Sequence, residues 1–211
     1  MVLKVEYLLV FITVIFINVL GGLFEINQIG TYIIIPGTLL YFYATNEVTY
    51  INQPMKLIFF LLVWGLIPVL FANVDITQAF AVHRRLLVVF MYSMILFWYG
   101  RKSLSHSLDI FNFYIVTYFI LVLAIMNNMT GFNLESTARL TNELSGEYIL
   151  NANSIGYFTF AAIISSFAKN MLKPNIQNFF MLYIINFIGL YFILLSASRS
   201  AIIVFFVLFT S

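Results

Sequence analysis

The residues best suited to chemistry form the element Ser198-Arg199-Ser200, which stands between two strongly apolar runs. An arginine at bilayer depth costs about 3 kcal/mol on insertion scales, and it usually marks a site for an ion, a substrate or a partner. The alternative is a flanking charge whose side chain extends to the lipid headgroups. Because a planar guanidinium binds phosphate or carboxylate through two parallel hydrogen bonds, we predict that Arg199 binds an anion.

A second polar element, Asn151-Ala152-Asn153, lies earlier in the chain, where a long polar stretch meets an apolar run. Asparagine is a strong helix N-cap because its side-chain oxygen accepts an orphan backbone N–H, and this explains one of the two asparagines. Ser198 can cap the helix that follows it in the same way, and the start of a helix favours an anion. We therefore predict that Asn151, Asn153 and Ser198 bind the same ligand as Arg199.

The composition indicates an integral membrane protein. The chain has 211 residues, 63% of them hydrophobic and 9% charged, with a mean hydropathy of +1.01, whereas a soluble domain carries about 25% charged residues. The net charge is +2 and no basic cluster is large enough to follow a phosphate backbone, which excludes a nucleic-acid partner. The chain has no cysteine, and His83 and His106 lack metal-ligand spacing. We predict no metal and no cofactor.

The apolar runs predict an all-α, polytopic transmembrane helical bundle with about seven full spans and a truncated eighth. A span needs about 20 residues, and only 12 remain from Ser200 to Ser211, so we expect the protein to continue beyond this segment. We predict a single integral membrane domain, 1–211, incomplete at its C-terminus, with an extracytoplasmic loop at 127–153. The predicted full spans are residues 5–24, 28–44, 56–72, 85–100, 108–127, 154–170 and 177–196.

The distribution of lysine and arginine predicts a cytoplasmic N-terminus. On this orientation the inner segments hold six of the ten basic residues, including all five lysines. Because topology alone would mix the two residue types, the outer arginines indicate a role in binding anions. The inner set is Lys4, Lys56, Arg101, Lys102, Lys169 and Lys173, and the outer set is Arg84, Arg85, Arg139 and Arg199.

At its two polar elements the chain resembles the O-antigen ligase/polymerase family of bacterial membrane glycosyltransferases. Members of that family carry a glycine, then an Asn-Pro-Asn-like element that opens a helix, and later a Ser-Arg-small element between two spans. The corresponding residues here are Gly146, Asn151-Ala152-Asn153 and Ser198-Arg199-Ser200-Ala201, with Ala152 in place of the usual proline. The resemblance covers roughly residues 135–211, and the earlier spans match in hydropathy alone.

The resemblance implies an enzyme that transfers a glycan from an undecaprenyl-diphosphate carrier to a sugar hydroxyl, at the outer face of the bacterial cytoplasmic membrane and without a metal. Negative charge builds on the diphosphate as the glycosidic bond breaks, and fixed guanidinium groups stabilise that transition state. Arg199 is the first expected catalytic residue and Arg139 the second, with Arg84 or Arg85 third as substrate-binding residues. The base for the acceptor hydroxyl is expected among three carboxylates that could equally be solvated loop charges: Asp75, Glu143 and Glu147.

Two other functions remain open at the level of the sequence. An exporter or flippase of polysaccharide or lipid-linked sugar would also use aromatic-rich spans and outward arginines, although transporters place their sites near the bilayer centre. A non-catalytic membrane subunit would use Arg199 to pair with a carboxylate on another chain. Within the enzymatic interpretation, the product can be O-antigen or capsule, polymerase and ligase both remain open, and the expected partners besides the lipid-linked glycan are the bilayer and other polysaccharide-assembly membrane proteins.

Overall fold

The computed structural model describes residues 4–20, 27–45, 53–71, 76–127 and 152–196, and within these ranges the chain forms helices and turns. The predicted all-α architecture is therefore confirmed for these residues. In chain order the elements are α1 (Val5–Ile15), a π-helical segment (Phe16–Leu20), α2 (Asn27–Ile29), a second π-helical segment (Gly30–Ile34), α3 (Ile35–Ala44), α4 (Gln53–Phe71), α5 (Ile76–Gly100), α6 (Leu104–Met126), α7 (Ala152–Leu172) and α8 (Ile176–Ser196).

Three of the described helices are long and apolar enough to cross a membrane, namely Leu104–Met126, Ile155–Leu172 and Ile176–Leu194. Each of the seven predicted spans coincides with helical residues, but a count of seven full spans stays a prediction, as does the single domain over 1–211. The shorter apolar helices are Val5–Val19, Gly30–Ala44 and Leu86–Gly100.

Helix α5 begins nine residues before the span predicted from the sequence, at Ile76 rather than at residue 85. The sequence places Arg84 just before this span and Arg85 at its first residue, and this boundary is wrong, because both residues lie well within α5. Arginine is a good helix former, and no proline or glycine interrupts residues 76–99. Charge by itself therefore does not end the helix.

The π-helical segment Gly30–Ile34 leads directly into α3, and Pro36 lies in the first turn of that helix. Proline has no N–H to donate, and its ring presses on the carbonyl of the preceding turn. A widened turn relieves that pressure. We attribute the second π-helical segment to Pro36.

The chain forms two compact units, the first made of Met1–Thr13 and Gln28–His106 and the second of Val14–Asn27 and Ser107–Ser211. In the first unit, α5 packs against α3 and α4. Leu62 of α4 and Phe90 of α5 are buried there, with Met94 and Phe97 packed around them. The hydroxyls of Thr13 and Thr38 lie 3.0 Å apart and form a buried hydrogen bond that links α1 to α3.

The second unit has a larger apolar core, contributed by α6, α7, α8 and one residue of the first π-helical segment. Its members are buried aliphatic and aromatic side chains, as expected for the contact surface of packed helices. The buried core residues are Val19, Ile115, Tyr118, Leu121, Val122, Ile125, Ile155, Ala162, Ile163, Ile185, Phe192 and Ile193.

Helices α7 and α8 form an antiparallel hairpin joined by a short turn at Lys173-Pro174-Asn175. Asn175 caps α8, because its Oδ1 accepts a 2.7 Å hydrogen bond from the backbone N–H of Asn178. The Asn178 side chain in turn donates to the Lys173 carbonyl oxygen at 2.7 Å. These bonds fix the turn and direct the two helices back along each other.

Gly189 sets the register of the hairpin. A Cβ atom at this position would lie 2.9 Å from Ile163 Cδ1 and 3.1 Å from Thr159 Cγ2, so the α8 backbone sits directly against α7. Small residues permit this close approach between helices in a membrane. Counting seven residues outward from Thr159 and from Gly189 reaches Ala152 and Ser196, the outer ends of the two helices. Both ends therefore lie at the same level.

Candidate functional site

The residues predicted from the sequence to bind the anion fall mostly outside the described ranges. Asn153 lies in the first turn of α7, and Arg84 and Arg85 lie within α5. These three are the only predicted binding residues within the described helices, and they belong to different units. Outside the described ranges lie Arg199, Arg139, Asn151 and Ser198, together with the predicted bases Asp75, Glu143 and Glu147.

Helix α7 is described from Ala152 over 21 residues, in the place where the Asn-Ala-Asn element was expected to open a helix. Asn151 lies outside the described ranges, so its role as the N-cap stays a prediction. At the far end of the hairpin partner, α8 ends at Ser196, two residues before Ser198. The two predicted elements therefore adjoin the same end of one helix pair.

A cluster that sequence reasoning missed lies in the first unit, around Glu6 in the first turn of α1. The Lys102 ammonium group donates a hydrogen bond to Glu6 Oε2, and His106 Nε2 lies 3.5 Å from Glu6 Oε1. The three side chains are only 12%, 21% and 16% exposed for Glu6, Lys102 and His106. We call these residues, with Ser103, the Glu6 cluster.

The His106 ring is held on three sides. Ser103 Oγ lies 2.6 Å from His106 Nδ1 and also accepts the His106 backbone N–H at 3.3 Å, so Ser103 caps the start of α6. Tyr99 meets the imidazole edge-on, with the ring centroids 4.8 Å apart.

The Lys102 ammonium group also lies 5.2 Å from the centroid of the Phe42 ring, a cation–π contact with α3.

The Glu6 cluster fits a role in joining helices better than a role in chemistry. Both carboxylate oxygens of Glu6 face cationic or hydrogen-bonding partners from the α5–α6 turn and the start of α6. The Ser103 hydroxyl accepts the His106 backbone N–H, so it serves as the cap of α6. Glu6 and Lys102 are 96 residues apart, so spacing gives no signal of the pair. The sequence feature that could have revealed this cluster is the lone Glu6 carboxylate at the start of an apolar run, because a charge near the bilayer needs a partner.

Four buried polar side-chain atoms in the described part of the second unit make no well-formed hydrogen bond, although the Tyr118 and Thr159 hydroxyls lie near enough to interact with each other. These atoms are Thr117 Oγ1, Tyr118 OH, Thr159 Oγ1 and Asn186 Oδ1. Elsewhere in the described helices such side chains bond to a carbonyl one turn back, as Thr13 does to Leu9 at 2.8 Å. The same local bond is made by Asn18, Thr45, Ser93 and Asn127.

Two of these four residues line a crevice in the second unit. Its empty volume is about 190 Å³, which includes the open space at its mouth. The lining is almost wholly apolar, and the interior is too narrow for a water molecule. A polar ligand has no room there in this arrangement of side chains. The lining residues are Val19, Tyr114, Thr117, Tyr118, Leu121 and Phe158.

Within the described ranges, no group of three His, Asp or Glu side chains is placed to hold a metal ion. The chain matches no protein-family model, no curated protein and no solved structure.

Proposed function

We propose that this chain is part of a membrane glycosyltransferase that moves a glycan from an undecaprenyl-diphosphate carrier to a sugar hydroxyl at the outer face of the bacterial cytoplasmic membrane. The resemblance of Asn151-Ala152-Asn153 and Ser198-Arg199-Ser200 to the O-antigen ligase/polymerase family motivates the proposal. The α7–α8 hairpin is the structural observation that supports it.

The hairpin matters because it brings the two ends of a long segment together. Ala152 and Ser196 are 44 residues apart in the chain, yet the register set by Gly189 puts them at the same end of the helix pair. Packed helix axes lie about 8–10 Å apart. The chain that leads into α7 and the chain that leaves α8 are therefore attached at neighbouring points.

Covalent geometry limits how far the key side chains can lie from that end. Asn151 is bonded to Ala152, and Arg199 follows Ser196 by three residues. Three residues of extended chain reach about 11 Å, and the long arginine side chain can turn back over much of that distance. One diphosphate is thus within reach of both elements, which supports a shared anion site.

In the proposed reaction the acceptor hydroxyl oxygen forms a bond to the anomeric carbon as the bond from that carbon to the phosphate oxygen breaks. The hydroxyl proton passes to a carboxylate, with Asp75, Glu143 and Glu147 as candidates. The lipid diphosphate leaves as an anion, and Arg199 stabilises its developing charge through two parallel hydrogen bonds. Arg139 is proposed as a second cation at the same leaving group.

The finer topology also belongs to this proposal. Seven full spans with a cytoplasmic N-terminus would put the open end of the α7–α8 hairpin at the outer face and its turn at the inner face. Lys169 and Lys173 beside the turn are consistent with this orientation, because lysine near span ends stays on the cytoplasmic side.

Substitution of Arg199 by lysine tests the proposed role in the full-length protein. Lysine keeps the charge and loses the planar fork, so we expect glycan polymer to fall at least tenfold and the lipid-linked donor to accumulate at an unchanged level of membrane protein. Arg101→Lys is the matched control, because Arg101 lies in the exposed α5–α6 turn. Full activity of Arg199→Lys would overturn the bidentate role. Donor trapped on the inner leaflet would instead identify an exporter.

Because the chain has no cysteine, single cysteines report topology cleanly. A cysteine at position 147 is expected to react with a membrane-impermeant maleimide in intact cells. A cysteine at position 175, in the hairpin turn, is expected to react only after lysis. The reverse pattern would place the arginines on the side where no outer-face transfer can occur.

A further inference from the structure

The turn of the α7–α8 hairpin carries two lysines that have no role in the proposed transfer. Lys169 lies in the last turn of α7, and Lys173 follows the end of the helix by one residue. They are four residues apart on one helical path, with the Lys173 N–H bonded to the Lys169 carbonyl at 2.9 Å. Their ammonium groups are therefore close enough to repel each other.

No acidic side chain in the described ranges relieves that repulsion. The ion pairs found there join Glu6 to Lys102 and to His106, both in the first unit. Among the described residues, Lys173 is the charged group that acts on Lys169. Two like charges held one turn apart without a counter-ion form a place where an anion is stabilising.

The position of the pair decides which anion fits. Both lysines lie at the end of a helix whose residues Ile155–Leu172 are apolar enough to cross a membrane. Eighteen residues of helix span about 27 Å, close to the hydrocarbon thickness of about 30 Å. The lysines therefore lie at the depth of the lipid headgroups, where phosphate is the abundant anion.

An exposed apolar face of α8 begins three residues after Lys173. Ile176 is 73% exposed, Phe180 61% and Phe187 81%. Ile176 and Phe180 are one turn apart, and Phe187 follows two turns later, so they share one face of the helix. The acyl chains of a phospholipid held at the lysines would lie along such a face.

We propose that Lys169 and Lys173 bind the phosphate of an anionic phospholipid, whose acyl chains lie against the exposed face of α8. The site is formed by the second unit alone, and it is independent of the glycan-transfer proposal. Each lysine near a charged lipid surface contributes a factor of about five in affinity, so the pair is expected to contribute on the order of 25-fold.

Native mass spectrometry of the full chain in detergent, with equal amounts of phosphatidylglycerol and phosphatidylcholine, tests the site. The unaltered protein is expected to retain phosphatidylglycerol selectively, and Lys169→Gln/Lys173→Gln is expected to lose about 25-fold in that retention. Lys169→Arg/Lys173→Arg keeps both charges and is expected to retain the lipid. The matched control is Lys4→Gln/Lys56→Gln, which removes two exposed lysines of the first unit.

Three outcomes would overturn the site. One is retention within twofold in the Lys169→Gln/Lys173→Gln variant. Another is an equal loss in the control variant, which would show that the net charge of the protein, and not this site, causes the retention. The third is displacement of the lipid by millimolar inorganic phosphate, which would make the pair a site for soluble anions. If the double variant loses helix by circular dichroism, Lys173→Gln alone decides, with an expected fivefold loss at this exposed position.

Discussion

The two units of the chain hold their helices together by different means. In the first, the Glu6 cluster joins α1 to the α5–α6 turn through a carboxylate, an ammonium group and an imidazole. In the second, Gly189 lets α8 rest directly on Thr159 and Ile163 of α7, and among the described residues the buried hydroxyls of Thr117, Tyr118 and Thr159 make no well-formed hydrogen bond.

The difference follows from what drives helix association in lipid. Lipid tails are as apolar as leucine, so burial of apolar surface gives little driving force, and close packing or polar contacts must supply it. The Glu6 cluster retains partial exposure, which limits the cost of desolvating its charges. Thr159, with 0% exposure, lies directly against Gly189 of α8. The first unit therefore joins helices through a charged contact at a partly exposed position, and the second joins them through close steric packing at a buried position.

The largest effect is expected from filling the close contact in the second unit. Gly189→Leu forces side-chain atoms into a space already occupied by Ile163 and Thr159, and overpacking of this kind costs about 3 kcal/mol. Equilibrium unfolding in mixed micelles with increasing dodecyl sulfate measures it. Gly37→Leu is the control, because no atom lies within 4 Å of a Cβ built there. Equal losses for the two variants would contradict the steric account.

A smaller loss is expected from breaking the charge contact in the first unit. Glu6→Gln leaves the Lys102 ammonium group without its carboxylate, which we expect to cost about 2 kcal/mol, between the values for exposed and buried pairs. The same unfolding assay, with Lys102→Met and the double variant, gives the coupling between the two residues. Coupling below about 0.5 kcal/mol would show that the contact does not stabilise the fold. Lys56→Gln, at an exposed position, serves as the control.

The smallest effects are expected at buried threonines, and they differ in size. Thr159→Val removes a buried hydroxyl that makes no well-formed hydrogen bond and has the Tyr118 hydroxyl as its polar neighbour, so stability is expected to change by less than about 0.3 kcal/mol. Thr13→Val removes bonds to the Leu9 carbonyl at 2.8 Å and to Thr38 at 3.0 Å, so stability is expected to fall by about 0.6 kcal/mol. A loss at Thr159 as large as that at Thr13 would reveal a partner for its hydroxyl.

The sequence predicted the helices well because apolar runs between polar breaks have few alternatives in a membrane chain. The predicted spans 154–170 and 177–196 lie close to the bounds of α7 and α8. The start of α5 was missed, because a His-Arg-Arg run reads as a loop although each residue is compatible with a helix. A hydropathy profile therefore does not show whether a charged residue lies inside a helix or in the loop beside it.

The contacts between helices could not be predicted in the same way. The pairing of Glu6 with Lys102 joins residues that are far apart in the chain, and no local pattern encodes it. Gly189 looks like any glycine in an apolar run, and its role depends on which residues of α7 face it. For the candidate anion site, the sequence supplied the motifs, and the hairpin register supplied the reason that they adjoin one end of a helix pair.

The short turn at Lys173-Pro174-Asn175 also bears on how the protein enters the bilayer. α7 and α8 are each 21 residues long, and the capped turn lets them associate as soon as both have left the ribosome. Such a pair can pass from the insertion machinery into the bilayer together, so that neither helix needs to enter the bilayer by itself. In the proposed topology the turn stays on the side where the chain is made, so one insertion event would fix the orientation of both helices.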